Sequence, residues 1–197
     1  MATAPRILLA ATVLLAALQS ASPASAGCPP EPWPQATCGS FGSTSLVMDA
    51  YGHVDWRGAE GTSSDVSEFS DPAATYKLCI WDESRVIVAA DINADAECPG
   101  GSCWSDHKRG VRRYRDEAGA NGDVRLLDFT GSDDSTTEVR AKVLVIGGLN
   151  LPVHGGVIAQ LVSTSTGACL ESFVPSEAFT IDDKGGFAAR FSVDDAE

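Results

Sequence analysis

The stretch EVRAKVLVI, Glu138 to Ile146, decides the fold class. Val139, Ala141, Val143 and Val145 fall on one face, and Arg140 and Lys142 on the other until Leu144 and Ile146 close it over. Successive side chains of an extended chain point to opposite sides, so this is the pattern of a half-buried β-strand. Working outward, no helical period runs through the chain after its N-terminal segment. Short runs rich in Val, Ile, Leu and aromatic residues recur instead, divided by Gly, Asn, Asp and Pro. They predict strands over Ser45–Ala50, His53–Arg57, Thr75–Trp81, Arg85–Ala90 and Val111–Arg115. Asp123–Phe129, Gly156–Ser163, Ala168–Val174 and Phe187–Val193 complete the set, with DDKGG (Asp182–Gly186) as a hairpin turn. In VRRYR, Val111 and Tyr114 are out of phase by one residue, which requires a bulge or an outward-facing side chain. Ten short strands with closely spaced turns predict an all-β fold, an antiparallel β-sandwich of jelly-roll-like form.

The N-terminus sets the compartment. Residues 1–26 carry one Arg, an apolar run from Ile7 to Leu18, and small residues ending Ala24-Ser25-Ala26. That is the form of a secretory signal peptide, its apolar core being shorter than the ~18 residues a membrane span needs. Residues 27–44, with CPPEPWPQATC inside, read as a proline-rich lead-in, and 45–197 as a single sandwich domain. Export to a secreted or periplasmic location makes disulfides the expected state of Cys28, Cys38, Cys79, Cys98, Cys103 and Cys169. Lipoprotein anchoring at Cys28 is the competing reading of Gly27-Cys28. It lacks the usual aliphatic residue three positions earlier and would leave an odd thiol.

The formal net charge is −13, so the surface as a whole should not seek nucleic acid or anionic lipid. Five of the 14 Lys and Arg nevertheless crowd into HKRGVRRYR: Lys108, Arg109, Arg112, Arg113 and Arg115. Arg112, Arg113 and Arg115 are candidate binding residues for an anion; a solvated strand face balanced by Asp116 and Glu117 is the plainer reading. Trp104 directly follows a Cys turn and is a candidate sugar-stacking or interface residue. Trp56 and Trp81 are expected in the core, Trp81 against a disulfide.

DINADAEC places Asp91, Asn93, Asp95 and Glu97 as candidate calcium ligands. An EF-hand loop, however, needs Gly at its sixth position and Glu at its twelfth. Counting from Asp91, those positions hold Ala96 and Ser102. Only a shorter, irregular site remains, against the alternative of a polar loop. No other cofactor is expected. His53, His107 and His154 are scattered, and there is no G-x-S-x-G elbow or H-E-x-x-H motif. His154, between Pro152 and Gly155-Gly156, is the most accessible by context and completes the candidate binding residues.

From about Phe69 the chain resembles a family of secreted bacterial β-rich domains with no established activity. TYKLCIWD (Thr75–Asp82), CPGGSCW (Cys98–Trp104), GLNLP (Gly148–Pro152) and QLVSTSTGACLE (Gln160–Glu171) carry the resemblance. It departs at Leu170, where the family often has Trp, and in the short loop around His154. What it implies is architecture, export and a disulfide pairing rather than a chemistry. The pairing is Cys98 with Cys103, Cys79 with Cys169 across two strands, and Cys28 with Cys38 across the lead-in, one of the fifteen connectivities open to six cysteines. The functional expectation is an exported, non-catalytic binding or structural module for an envelope or extracellular ligand, glycan or protein. A hydrolase on the same scaffold is the alternative.

Overall fold

The computed structural model describes residues 28, 38–62, 69, 73–107, 111–131, 136–149, 151–181 and 187–192. The signal-like residues 1–26, most of the lead-in with Trp33, Lys108 and Arg109, and the expected Asp182–Gly186 turn lie outside the described residues. The chain is an all-β, disulfide-stapled sandwich. Five strands form one sheet in the order β1 (Gly39–Ser40), β13 (Cys169–Val174), β12 (Val157–Ser163), β4 (Tyr76–Trp81) and β5 (Val86–Ile92). Eight form the other: β14 (Phe179–Ile181), β15 (Phe187–Ser192), β2 (Ser43–Met48), β3 (His53–Thr62), β11 (Thr136–Leu144), β10 (Val124–Gly131), β9 (Val111–Arg115) and β8 (Trp104–His107). A two-stranded ribbon, β6 (Glu97–Cys98) and β7 (Gly101–Ser102), stands apart from both.

Each expected strand is present, with ends displaced by a residue or a few. Gly39–Thr44, read as lead-in, already contributes β1 and the start of β2, and Thr44 Oγ1 donates to Ser172 Oγ at 2.8 Å inside the core. The jelly-roll character lies in one double crossover. β3 and β11 pair antiparallel in the larger sheet, and the strands that follow them, β4 and β12, pair antiparallel in the smaller. The chain also changes sheet between β1 and β2, between β5 and β8 and between β13 and β14, while β2–β3, β4–β5, β8–β9, β9–β10, β10–β11, β12–β13 and β14–β15 pair in sequence within one sheet.

Alternation fills the space between the sheets. From the smaller sheet come Tyr76, Leu78, Ile80, Ala159, Leu161, Leu170 and Val174; from the larger, Leu46, Met48, Val54, Trp56, Leu127, Phe129, Val139, Ala141 and Val143. Burying each large apolar side chain stabilises the fold by about 1.5–3 kcal/mol. Val139, Ala141 and Val143 face inward as read, but β11 ends at Leu144 and Ile146 is 82% exposed in the turn beyond. That turn is tight. The carbonyl of Gly52, at φ 95°, accepts from Val145 N–H, and a Cβ on Gly52 would lie 2.2 Å from Val145 O. β9 pairs with β8 and β10 without a bulge, and Tyr114 is buried.

The disulfides correct the expected pairing. Cys98–Cys103 is present, but Cys79 bonds Cys28 and Cys169 bonds Cys38. β12 lies between β4 and β13, so Cys79 and Cys169 stand two strand spacings apart, ~10 Å. A disulfide bridges at most ~7 Å between Cα atoms. Each strand is therefore bolted to one end of the lead-in instead. Cys79 and Trp81 occupy the phase opposite to Tyr76, Leu78 and Ile80, so Trp81 is buried on the outer face of the smaller sheet rather than between the sheets. Cys28 spends its sulfur on Cys79, which leaves no thiol there to carry a lipid.

Candidate functional site

The stapled end of the sandwich gathers most of the residues singled out from sequence. The β6–β7 ribbon turns through Gly100 and Gly101, both at positive φ, and Cys98–Cys103 closes it. Cys103 N–H donates to Ala96 O and Arg115 N–H to Cys103 O, each at 2.9 Å, which docks the ribbon on β9. Asp116 organises the next turn. Its carboxylate is buried and accepts from Ala120 N–H at 3.0 Å and Asn121 N–H at 2.7 Å. Burial would raise this carboxyl, but the Asn121 and Ala120 donors outweigh it and hold it below the usual carboxylate range. Asn121 in turn donates its amide to Glu97 O at 2.9 Å and toward Cys103 Sγ at 3.3 Å. Tyr114, beside Asp116, is pushed up to about 12, first by burial and then by that carboxylate's charge.

Trp104 is committed internally. Its Nε1 donates to Asn93 O at 2.8 Å, and its ring packs against Tyr76 at 5.7 Å and Tyr114 at 5.2 Å. The Arg112 guanidinium sits over the ring, 4.4 Å from its centroid, a cation–π contact of ~0.5–2 kcal/mol. Alternation places Arg112 on the inward phase with Tyr114, and it is buried. Arg113 and Arg115 face the other way. Arg113 pairs with Asp128 through Nε at 2.6 Å and Nη2 at 3.2 Å, and Arg115 pairs with Glu117. The basic strand is thus divided between two faces of its sheet.

The DINADAEC carboxylates do not converge. Asp91 lies in β5 and pairs with Lys77 Nζ at 2.7 Å, Asn93 gives its carbonyl to Trp104, and Asp95 and Glu97 are exposed. Among the described residues no group of three or more His, Cys, Asp or Glu is placed to hold a metal ion.

His154 is exposed, and its backbone does the work. Asp82 Oδ2 accepts from His154 N–H at 3.1 Å, while Oδ1 accepts from Ser84 N–H, Ser84 Oγ–H and Arg85 N–H at 2.7–2.9 Å. Burial raises the Asp82 carboxyl, and the hydrogen bonds from Ser84, His154 and Arg85 more than reverse it. Glu83 Oε1 accepts from Gly156 N–H at 3.4 Å and Arg85 Nη2 donates to Pro152 O at 3.0 Å, so the β4–β5 turn clasps the loop before β12. His53, the other histidine with a described side chain, pairs with Asp49 at the surface, 2.9 Å away.

Two polar groups escaped the sequence reading. Gln160 and Glu171 are buried on the outer face of the smaller sheet, Gln160 Nε2 donating to Glu171 Oε2 at 3.2 Å and toward Cys38 Sγ at 2.9 Å. Gln160 Oε1 is buried without a partner among the described residues. Gln160 and Glu171 are the single polar residues that β12 and β13 place on this face, opposite each other in register, and sequence alone gives no sign that they are covered. Among the described residues no helix is long and apolar enough to cross a membrane. No family model matches the chain, and neither does any curated protein or solved structure, so the geometry alone speaks for function.

Proposed function

We propose that the chain is an exported, non-catalytic binding module that works outside the cytoplasm. The observation that carries this reading is the employment of its buried carboxylates. Asp82 and Asp116 each accept several backbone N–H bonds and fix turns, which leaves both ionised and ordered rather than poised to exchange protons. His53 is tied to Asp49 at the surface and His154 stands alone among the described side chains, so neither supports a nucleophile–base pair. Three disulfides suit an oxidising compartment, and the signal-like residues 1–26 and the resemblance to exported β-rich domains support the same placement. The test is turnover: the oxidised protein is incubated with ester, glycoside and peptide substrates. No product above background is expected. Turnover abolished by His154→Ala or His53→Ala would refute the reading in favour of a hydrolase.

A further inference from the structure

The outer face of the eight-stranded sheet carries a charge pattern at odds with the rest of the chain. On a protein of net charge −13, it presents Arg57, Arg113, Arg115, Arg140 and Lys142 against Asp55, Asp128, Glu138 and, paired with Arg115 at its edge, Glu117. Strand register aligns four of these in one row across β9, β10, β11 and β3: Arg113, Asp128, Arg140, Arg57. Arg140 and Arg57 are direct cross-strand partners, and like charges so placed destabilise a sheet.

Three guanidiniums are held alike. Arg57 meets Glu138 through Nε at 2.8 Å and Nη2 at 2.9 Å. Arg113 meets Asp128, and Arg140 meets Asp55 at 3.1 and 2.7 Å, through the same two nitrogens. Each pair is bidentate on one edge of the fork, and the Nη1 edge of each Arg has no partner among the described residues. Arg113 and Arg140 are between a third and a half exposed, and Arg57 is just over half exposed. A guanidinium oriented by one carboxylate loses less freedom on taking a second oxyanion. Beside the row lie Lys142, half-buried Leu126 and exposed Val47, apolar ground for the C–H faces of sugar rings.

We propose that this face docks an acidic polysaccharide. Its carboxylate or sulfate groups would lie between Arg140 and Arg57, where they relieve the like-charge contact, and again at Arg113, two strand spacings or ~10 Å along the row. The charge density decides the class. A nucleic acid, charged at every phosphate, would meet Asp55, Asp128 and Glu138 as well. A sugar chain with charges one disaccharide apart steps over them. At physiological salt the ~8 Å Debye length screens the negative remainder of the protein from this face.

The proposal rests on the non-catalytic reading, and the experiment separates the two. The oxidised protein is titrated calorimetrically with hyaluronan, which carries one carboxylate per disaccharide, at low and high salt, with neutral dextran as control. Binding at low salt, weakened by salt and absent with dextran, is expected. Arg57→Gln with Arg140→Gln should weaken it at least ~tenfold, while Lys77→Gln on the other sheet should leave it unchanged. Asp55→Asn with Glu138→Gln should strengthen it severalfold, a gain that damage to the fold cannot imitate. No binding at low salt, or binding indifferent to the arginine substitutions, would overturn the proposal and leave the non-catalytic reading standing. New reducing ends in the hyaluronan would overturn both.

Discussion

Removing the disulfides one at a time should destabilise the protein in the order of the loops they close. Cys38–Cys169 spans 131 residues, Cys28–Cys79 spans 51 and Cys98–Cys103 only 5. In the chain-entropy model these loops correspond to about 5, 4 and 2 kcal/mol of restricted unfolded-state freedom at 25 °C. The first figure equals the whole stability of a weakly stable domain, typically ~5–15 kcal/mol. The paired Cys→Ala variants, kept oxidised, are unfolded in urea at neutral pH and followed by tryptophan fluorescence. Trp56, fully buried with Nε1 donating to Ser172 Oγ at 3.2 Å, supplies the signal. Because the long-range bridges restrict the unfolded chain, their removal should also steepen the denaturant dependence, whose slope follows the surface exposed on unfolding. A Cys98/Cys103 variant as damaged as the Cys38/Cys169 variant would refute the reasoning. The ribbon would then be acting through its contacts with Asn121 and β9 rather than through loop closure.

Other outcomes follow from the turn carboxylates and the loops. Asp82→Asn places an amide against His154 N–H and should cost about 1.5–3 kcal/mol in urea unfolding; a neutral effect would show that the clasp is dispensable. Since the Asp82 and Asp116 carboxyls are lowered in the folded state, their stabilisation is complete above the unfolded carboxyl value near ~4 and is lost as pH falls through their folded values. Acid titration of stability should therefore steepen below about pH 4, and an Asp82→Asn, Asp116→Asn variant should flatten that slope. Calcium in excess over EDTA should leave the melting temperature unchanged. A clear rise that magnesium does not reproduce would place a site at Asp91–Glu97 after all.

The strands were legible because each buries one face, and period-two alternation records that directly. Val139, Ala141 and Val143 are the plainest case. Arg112 misled the reading of its strand because an arginine looks like surface in sequence. The Trp104 ring beside it helps make an inward position tolerable. Disulfide connectivity was out of reach for a different reason. It depends on which strand lies between Cys79 and Cys169, and strand order is a property of the whole sheet. The same holds for the arginine row, whose members come from four strands and meet only through register. Asp91, Asn93, Asp95 and Glu97 had a ligand-like spacing, but Asp91 is held in β5 by Lys77, the Asn93 carbonyl accepts from Trp104, Glu97 opens β6, and the four do not converge.

The most direct test of the account is a non-reduced peptide map of the protein recovered from the extracytoplasmic fraction of cells that produce it. An N-terminal peptide beginning at Gly27 and linked through Cys28 to the Cys79 peptide is predicted, together with Cys38–Cys169 and Cys98–Cys103. A retained leader, a lipid on Cys28, or a Cys79–Cys169 peptide would contradict it.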